Sequence, residues 1–600
     1  MPNHDSSQWK RFVRLKRPTV RYVSGRARRL EGATIRHAHR YVISRMTNLR
    51  DVRRHALGWL MLAGLVVVAT GLQLSWSQGA HSAVSPAEGG VYAEGVIGRL
   101  DTLNPIYTST QSERSASYLV FSALLRYDRA NNLSGDLAQS WQASADGKTY
   151  TVALRQNARW HDGTPVTAAD VVFTLGLIKN PQTRSYLYRT WQGVSVKATG
   201  DYELAFTLPS AYAPFPHALT FGILPEHILR DVSPVRLREN AFNREPVGSG
   251  PFKFVSTQII NPDTERVVLQ LDKNTDYYGR PVRVDRFQLH TYQDHDALRK
   301  GFLSREVNAA AELTTSDVRT ISDQLPATQV NSAPLYDGVY AFFKTDMTPV
   351  LSDAAVRRAL VKATDRTSVR KALDGSASNL EGPLVPEQLA GIGDFKQAGF
   401  DSKAAASELE AAGWKAGADG VRQKGGQRLQ LTVVAPRTGE FPDVLERLAK
   451  QWRSVGVDVR TQVVPTNTFE QNILTRRAYD VLLYEIALGA DPDIFAYWHS
   501  TQASVRGFNL SNYKSGVADD ALVSARGRSQ VDLRTARYRT FIKTWLEDAP
   551  AVALYRPHLS YVTTDNTDAV DAANPVIDTL GRYHTIDQWT VTTDRLFKTP

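Results

Sequence analysis

The chain has 600 residues, 42% hydrophobic, 22% charged and 9% aromatic, with 39 Gly and 28 Pro, a composition that excludes a long disordered protein. Its formal charge of +11 sits at one end: residues 1–56 hold 15 Lys and Arg against Asp5, Glu31 and Asp51, leaving 57 basic and 58 acidic residues in the rest, so the large body offers no electrostatic case for nucleic acid. The absence of cysteine excludes disulfides, thiolate-bound zinc, iron–sulfur clusters, thiol nucleophiles and a lipidated cysteine anchor.

In chain order, the first predicted element is a membrane span. No charge occurs from Ala56 to Ala80, and Leu57–Leu74 is strongly apolar. About 20 such residues at 1.5 Å rise cross a hydrocarbon layer of roughly 30 Å. Arg50, Arg53 and Arg54 precede it and no Lys or Arg follows until Arg99, which sets the N-terminus in the cytoplasm and the remainder outside, with Trp59 and Trp76 near the two interfaces. Ala80-His-Ser-Ala83 offers a peptidase the small residues of a cleavable signal, but the long basic leader favours a retained single-pass anchor in the cell membrane. Within the leader, Ile35, Tyr41, Val42, Met46, Leu49 and Val52 fall at near-helical spacing, a pattern that fits a helix on anionic lipid or a solvated basic segment.

Residues 77–90, rich in small residues with Pro and Gly, read as a linker, with folded structure from Val91. Beyond it, strand and helix patterns interchange. Thr149–Arg155 and Glu203–Leu208 alternate as strands; Thr167 and Asp170 mark a helix start; Asp353–Leu373 and Glu440–Val455 read as amphipathic helices, the second leading to a strand at Val457–Val464; Tyr479–Ile486 is an apolar run suited to a buried strand. The fold class is mixed α/β with more than one sheet.

Several segments together resemble the extracellular solute-binding proteins of family 5, the peptide-, dipeptide- and nickel-type receptors of ABC importers. The most specific block runs Leu137-Ala-Gln-Ser-Trp141, Asp146–Arg155 and Trp160-His-Asp-Gly-Thr-Pro-Val-Thr-Ala-Ala-Asp-Val-Val-Phe173. Leu103-Asn-Pro105, Val247-Gly-Ser-Gly-Pro-Phe252, Asn274–Tyr278, Val356–Leu360, Ala411–Trp414, Asp491-Pro-Asp493 and Asp548-Ala-Pro550 follow in family order. The resemblance covers about residues 91–590. It implies a two-lobed periplasmic-binding-protein-like fold of cluster C type with an extra insertion lobe: a base lobe at 91–125, 246–335 and 546–600, an insertion lobe at 126–245, and a second lobe at 336–545. In that block Gly163 and Pro165 shape a turn and Asp170 caps a helix.

The resemblance also implies capture of an oligopeptide or another small molecule between closing lobes, and delivery to ABC permease subunits. Peptide receptors of the family meet a free α-amine with an aspartate three residues before the Asp-Pro pair; here that place is Leu488, with Glu485 and Asp491 the nearby acids. An ammonium buried without a counter-charge is costly, which puts a free N-terminus in doubt. Arg437 falls near the segment that supplies a partner for a ligand carboxylate. Tyr107, Thr108, Tyr336, Trp498 and Phe508 are candidates for the cleft walls.

Catalysis finds no support. There is no nucleophile elbow, zinc-protease helix, phosphate loop or dinucleotide turn, and neither a cofactor nor a metal site is expected; His37-Ala-His39 lies in the leader, and His161 beside Asp162 sits in the structural block. The competing reading is a ligand-sensing or partner-docking surface protein that uses the same fold without transport.

Overall fold

The computed structural model describes residues 49–565, 567, 569 and 574–597; the amphipathic pattern at 35–48 and the histidines at 37 and 39 lie outside them. Pro86–Asp594 forms one compact unit, and the N-terminal helix belongs to another.

That helix, Leu49–His81, is 33 residues long, about 50 Å at 1.5 Å per residue. Within it His55–Gln73 is apolar and long enough to cross a membrane, and none of it is buried. Trp59, Leu60, Met61 and Val67 are each at least 70% exposed. Ser82–Ala87, expected to be linker, is a strand.

The large unit is built on a 12-stranded sheet of mixed direction. Its central strand, Ala551–Thr563, is 13 residues long and nearly all buried, as expected of a strand covered on both faces. Its first half pairs with Asp337–Phe343; its second half pairs with Ala309–Ala311 and Gln329–Pro334. On the near side of that change the sheet continues through Val481–Ala487, Gln430–Pro436 and Asp458–Val464, and on the far side through Val91–Ile97, Arg286–Tyr292, Arg266–Lys273 and Phe252–Asn261. A separate four-stranded sheet contains Ala138–Ala143, Thr149–Leu154, Glu203–Thr207 and Ser195–Gly200.

The period of two decides the cores. Val339, Ala341, Phe343, Val481 and Leu483 feed one cluster, whereas Tyr340, Phe342, Leu482 and Ile486 feed the cluster on the opposite face. A third core joins Tyr92, Phe287, Tyr561 and Trp589 to Trp160, Trp191 and Phe206 of the 126–245 segment.

The family-like blocks are structural. Gly163 has φ +91°, open to glycine and strained for other residues. Asp170 accepts the backbone N–H of Thr167 at 2.8 Å and of Glu226 at 2.9 Å, so it caps helix Ala168–Lys179 and pins a distant loop. His161 takes the N–H of Gly248 on Nδ1 and faces the Gly250 carbonyl with Nε2, both at 3.1 Å, and burial holds its pKa down at about 4. A Cβ on Gly248 would lie 2.0 Å from the Val120 carbonyl oxygen, which explains the glycine. Arg357 donates to the Asp548 carbonyl at 2.9 and 2.7 Å, where helix Val531–Asp548 stops before Pro550.

The expected helix over Asp353–Leu373 is two helices, Ala354–Lys362 and Arg366–Lys371. Thr364 and Asp365 interrupt it: the Thr364 hydroxyl bonds back to the Leu360 carbonyl and receives Trp452 Nε1–H at 3.0 Å, while Asp365 caps the second helix. The other expected helix is Phe441–Arg453 and the expected strands are Asp458–Val464 and Val481–Ala487.

The C-terminal turn Thr579–Gln588 is held by a fully buried ion pair. Arg582 Nε donates to Glu94 Oε1 at 2.7 Å, Nη2 donates to Ser115 Oγ at 2.8 Å, and the Tyr583 hydroxyl donates to the other Glu94 oxygen. Removing one partner leaves a buried charge uncompensated. Arg582→Ala is expected to lower unfolding stability by about 3–5 kcal/mol, measured by denaturant titration; a change under 1 kcal/mol would show that the turn is held by packing instead.

Candidate ligand-binding site

A cavity of about 700 Å³ opens between the helix Gln111–Val120, the strand Leu125–Tyr127, the loop at 220–222, Tyr277 and the turn Thr579–Gln588. Concave sites for small ligands run roughly 300–1,000 Å³. One wall is aromatic: Tyr118 stacks on Tyr583 with centroids 5.7 Å apart, and Tyr277 packs against Tyr278. Burial, reinforced by Asp136, pushes the Tyr277 hydroxyl up. His584 is driven down to about 4 by burial and by the nearby Arg126, so it is neutral at physiological pH.

The cavity also holds charge. Asp136 is buried and accepts the Ala123 N–H at 3.0 Å and the Tyr278 hydroxyl. Arg126, on the wall, is desolvated by burial, but Asp136 and three tyrosines more than offset that and raise its pKa. Asp578 faces the same space and caps the turn through the Leu580 N–H at 2.9 Å and the Gly581 N–H at 3.2 Å.

Of the residues singled out by sequence, Thr108 lines the cavity; Tyr107 is buried and does not line it, with Arg238 4.7 Å above its ring. The others lie elsewhere. Tyr336 is buried, receives Asn131 Nδ2–H at 3.4 Å and sits 5.6 Å from the Arg556 guanidinium. Leu488 is 4% exposed and belongs to the apolar core, its N–H bonded to the Tyr336 carbonyl at 2.9 Å. Trp498 is fully buried, edge-on to Trp545 at 5.3 Å. Arg437 is exposed, and Phe508 is 63% exposed.

Asp491 forms an ion pair with Arg534 and stands 3.5 Å from His217 of the 126–245 segment. Beside it, Asp493 accepts Arg526 at 2.8 Å and the Tyr212 hydroxyl at 3.0 Å. These contacts join residues 212–217 to residues 491–534.

Glu485 and Asp337 lie on neighbouring antiparallel strands, Val339 opposite Glu485 and Asp337 opposite Ala487, which puts both carboxyl groups on one face. The two carboxyl groups act on each other. Burial, then the nearby Glu440, lifts Glu485 to about 7 although its interaction with Asp337 opposes this; burial, then Glu485 and Asp578, lifts Asp337 well above its ordinary value despite Arg556. A carboxyl raised in the folded state binds protons that the unfolded chain has lost, so stability falls as pH rises from about 4.5 through about 7. Glu485→Gln should therefore melt higher than the parent at pH 8, by on the order of 2 kcal/mol, with the gain vanishing near pH 4; an equal offset at both pH values would rule out this origin.

Comparison with known proteins agrees with the fold. Residues 132–507 match the family described as bacterial extracellular solute-binding proteins, family 5 Middle. The chain belongs to bacterial extracellular solute-binding protein family 5. It is 28% identical over 545 residues to the oligopeptide-binding protein AppA of Bacillus subtilis, covering 86% of this chain and 96% of AppA. The crystal structure of NikZ from Campylobacter jejuni with Ni(L-His) superposes with a TM-score of 0.69 at 26% identity, covering 83% of this chain and 99% of NikZ. The structure of Bacillus subtilis AppA with a nonapeptide gives 0.66 at 26% identity, covering 85% and 100%. The expected two-lobed α/β fold and solute-binding class therefore hold.

Sequence reasoning passed over Arg126, Tyr118, Tyr277 and Asp578. Arg126 lies in a short strand between apolar residues, with nothing in its spacing to distinguish it from a surface arginine. Tyr277 and Asp578 meet it only through contacts across more than a hundred residues, and Tyr118 reads as one apolar position of a helix.

Proposed function

We propose that this chain is a membrane-tethered receptor that captures an oligopeptide or related small solute in the 700 Å³ cavity and hands it to the permease of an ABC importer. The cavity within a family 5 fold carries the reading. The relatives crystallised with a nonapeptide and with a nickel–histidine complex span the solute classes to be tested. The proposed lobes are a base at 91–125, 246–335 and 546–600, an insertion at 126–245 and a second lobe at 336–545. The contacts of His217 with Asp491 and of Tyr212 with Asp493 would then tie insertion to second lobe. No chemical step is assigned to the site.

The unburied apolar helix supports the tether, and the arginines at 50, 53 and 54 support an N-terminus in the cytoplasm. Residues 77–90 are proposed as the spacer to the solute-binding domain.

Two outcomes follow. The full chain should sediment with membranes and resist alkaline carbonate, while Leu65→Lys with Val68→Lys, each charge costing about 2.5–3.5 kcal/mol at mid-span, should release it; a parent chain recovered free and cut near Ala83 would refute the tether. In detergent, the full chain melted against free and blocked peptides and nickel–histidine should gain about 2.7 kcal/mol at a hundredfold excess over Kd. No shift across that set would favour the partner-docking alternative.

A further inference from the structure

Arg126 is the unusual group of the cavity. Its guanidinium lines the space, yet among the described residues no carboxylate forms an ion pair with it and no acceptor takes a hydrogen bond from it. Its main chain is held by pairing with Ser134, whose hydroxyl also donates to the Arg126 carbonyl at 3.3 Å. Other charges around it are committed: Asp136 to Tyr278 and Ala123, Arg280 to Asp587 at 3.7 Å, Arg114 to Gln111 at 2.9 Å and the Ser109 carbonyl at 3.2 Å, Asp128 to the N–H groups of Ala130 and Asn132 at 2.9 Å.

A half-buried guanidinium with open donors is costly to keep unless something supplies acceptors. The planar fork suits two oxygens of one carboxylate. The neutral His584 and the phenols of Tyr118 and Tyr277 surround the open donors without supplying a competing anion. Arg437, the sequence-based candidate for this role, is exposed.

We infer that Arg126 is the carboxylate-recognition residue of the cavity, selecting ligands that present a free carboxylate to the wall formed by Tyr118, Tyr277 and His584. This rests on the reading that the cavity holds the solute, and it makes the anion, rather than an amine, the charged feature read there. The place before the Asp-Pro pair offers an amine no acid, since Leu488 is apolar and buried there, and the cavity acids Asp128, Asp136 and Asp578 already accept N–H or O–H groups of the protein.

The test uses full-length protein in detergent and random pentapeptides synthesised as C-terminal acids and C-terminal amides, mixed in equal amounts, with the bound fraction read by mass spectrometry. The parent should enrich acids over amides by about ten- to a hundredfold, the range for a hydrogen bond to a charged group. Arg126→Gln should bring the ratio near one, while Arg126→Lys should keep part of the preference. Equal retention of acids and amides by the parent overturns the role of Arg126 and leaves solute capture standing. Retention of neither, with no melting shift from nickel–histidine, overturns both readings, and an undiminished ratio in Arg126→Gln overturns the role of Arg126 and assigns the selection to another cation. The parent protein with two ligand forms decides the question even if a variant fails to fold.

Discussion

One strand serves two cores, and the arrangement of the large unit follows from that. Ala551–Thr563 pairs with Asp337–Phe343 up to Tyr555 and with Ala309–Ala311 and Gln329–Pro334 from His558 onward. At the change lies Pro557, which has no N–H to give a partner and accepts the Leu335 N–H on its carbonyl at 2.9 Å. Arg556 returns a bond from Nε to the Leu335 carbonyl at 3.1 Å and pairs with both oxygens of Glu387 at 2.9 Å. Ala377 and Ser378 pair with Pro557 and Arg556 at the same place, so a third strand bridges the change of partner and the two crossing segments are tied there.

Charge in the interior is unevenly settled. Glu94 and Arg582, both fully buried, use Ser115, Tyr583 and Thr579 to complete their bonding and serve only to lock the C-terminal turn. The Asp337–Glu485 pair is the opposite case: two like-charged groups share a face with Glu440 nearby, and the system answers by retaining a proton. Arg126 has a third solution, a charge kept by the field of Asp136 without an ion pair. Of these three, only Arg126 has open donors facing open volume, the observation from which its role toward a ligand anion is inferred.

The sequence spoke clearly where a local constraint decides structure. The Asp170 cap, the Gly163 turn and the apolar alternation of Val481–Ala487 depend on neighbours within a few residues, and each appears where the pattern requires. The apolar helix segment at 55–73 is legible for the same reason, since a long run of residues without Asp, Glu, Lys or Arg needs no tertiary partner to be recognised. What failed was reach. Trp498 and Thr108 were both wall candidates in sequence, but Trp498 is enclosed by Trp545, Tyr340 and Phe342 while Thr108 lines the cavity. Asp491 was noted as an acid without any sign that Arg534, 43 residues on, would occupy both its oxygens.

The departure at Leu488 gains meaning from its surroundings. Its side chain joins the same apolar cluster as Ile486, Ile494 and Trp498, while Gln388 Nε2 donates to the carbonyls of Leu488 at 3.1 Å and Gly489 at 2.9 Å. An aspartate there would place a carboxylate in apolar packing, a cost of several kcal/mol unless a cation came with it. The loop has been rebuilt around an apolar residue, with its backbone polarity satisfied by Gln388, so reversing one side chain would not restore an amine seat. On the inference drawn above, recognition of charge falls instead to the cavity wall that carries Arg126.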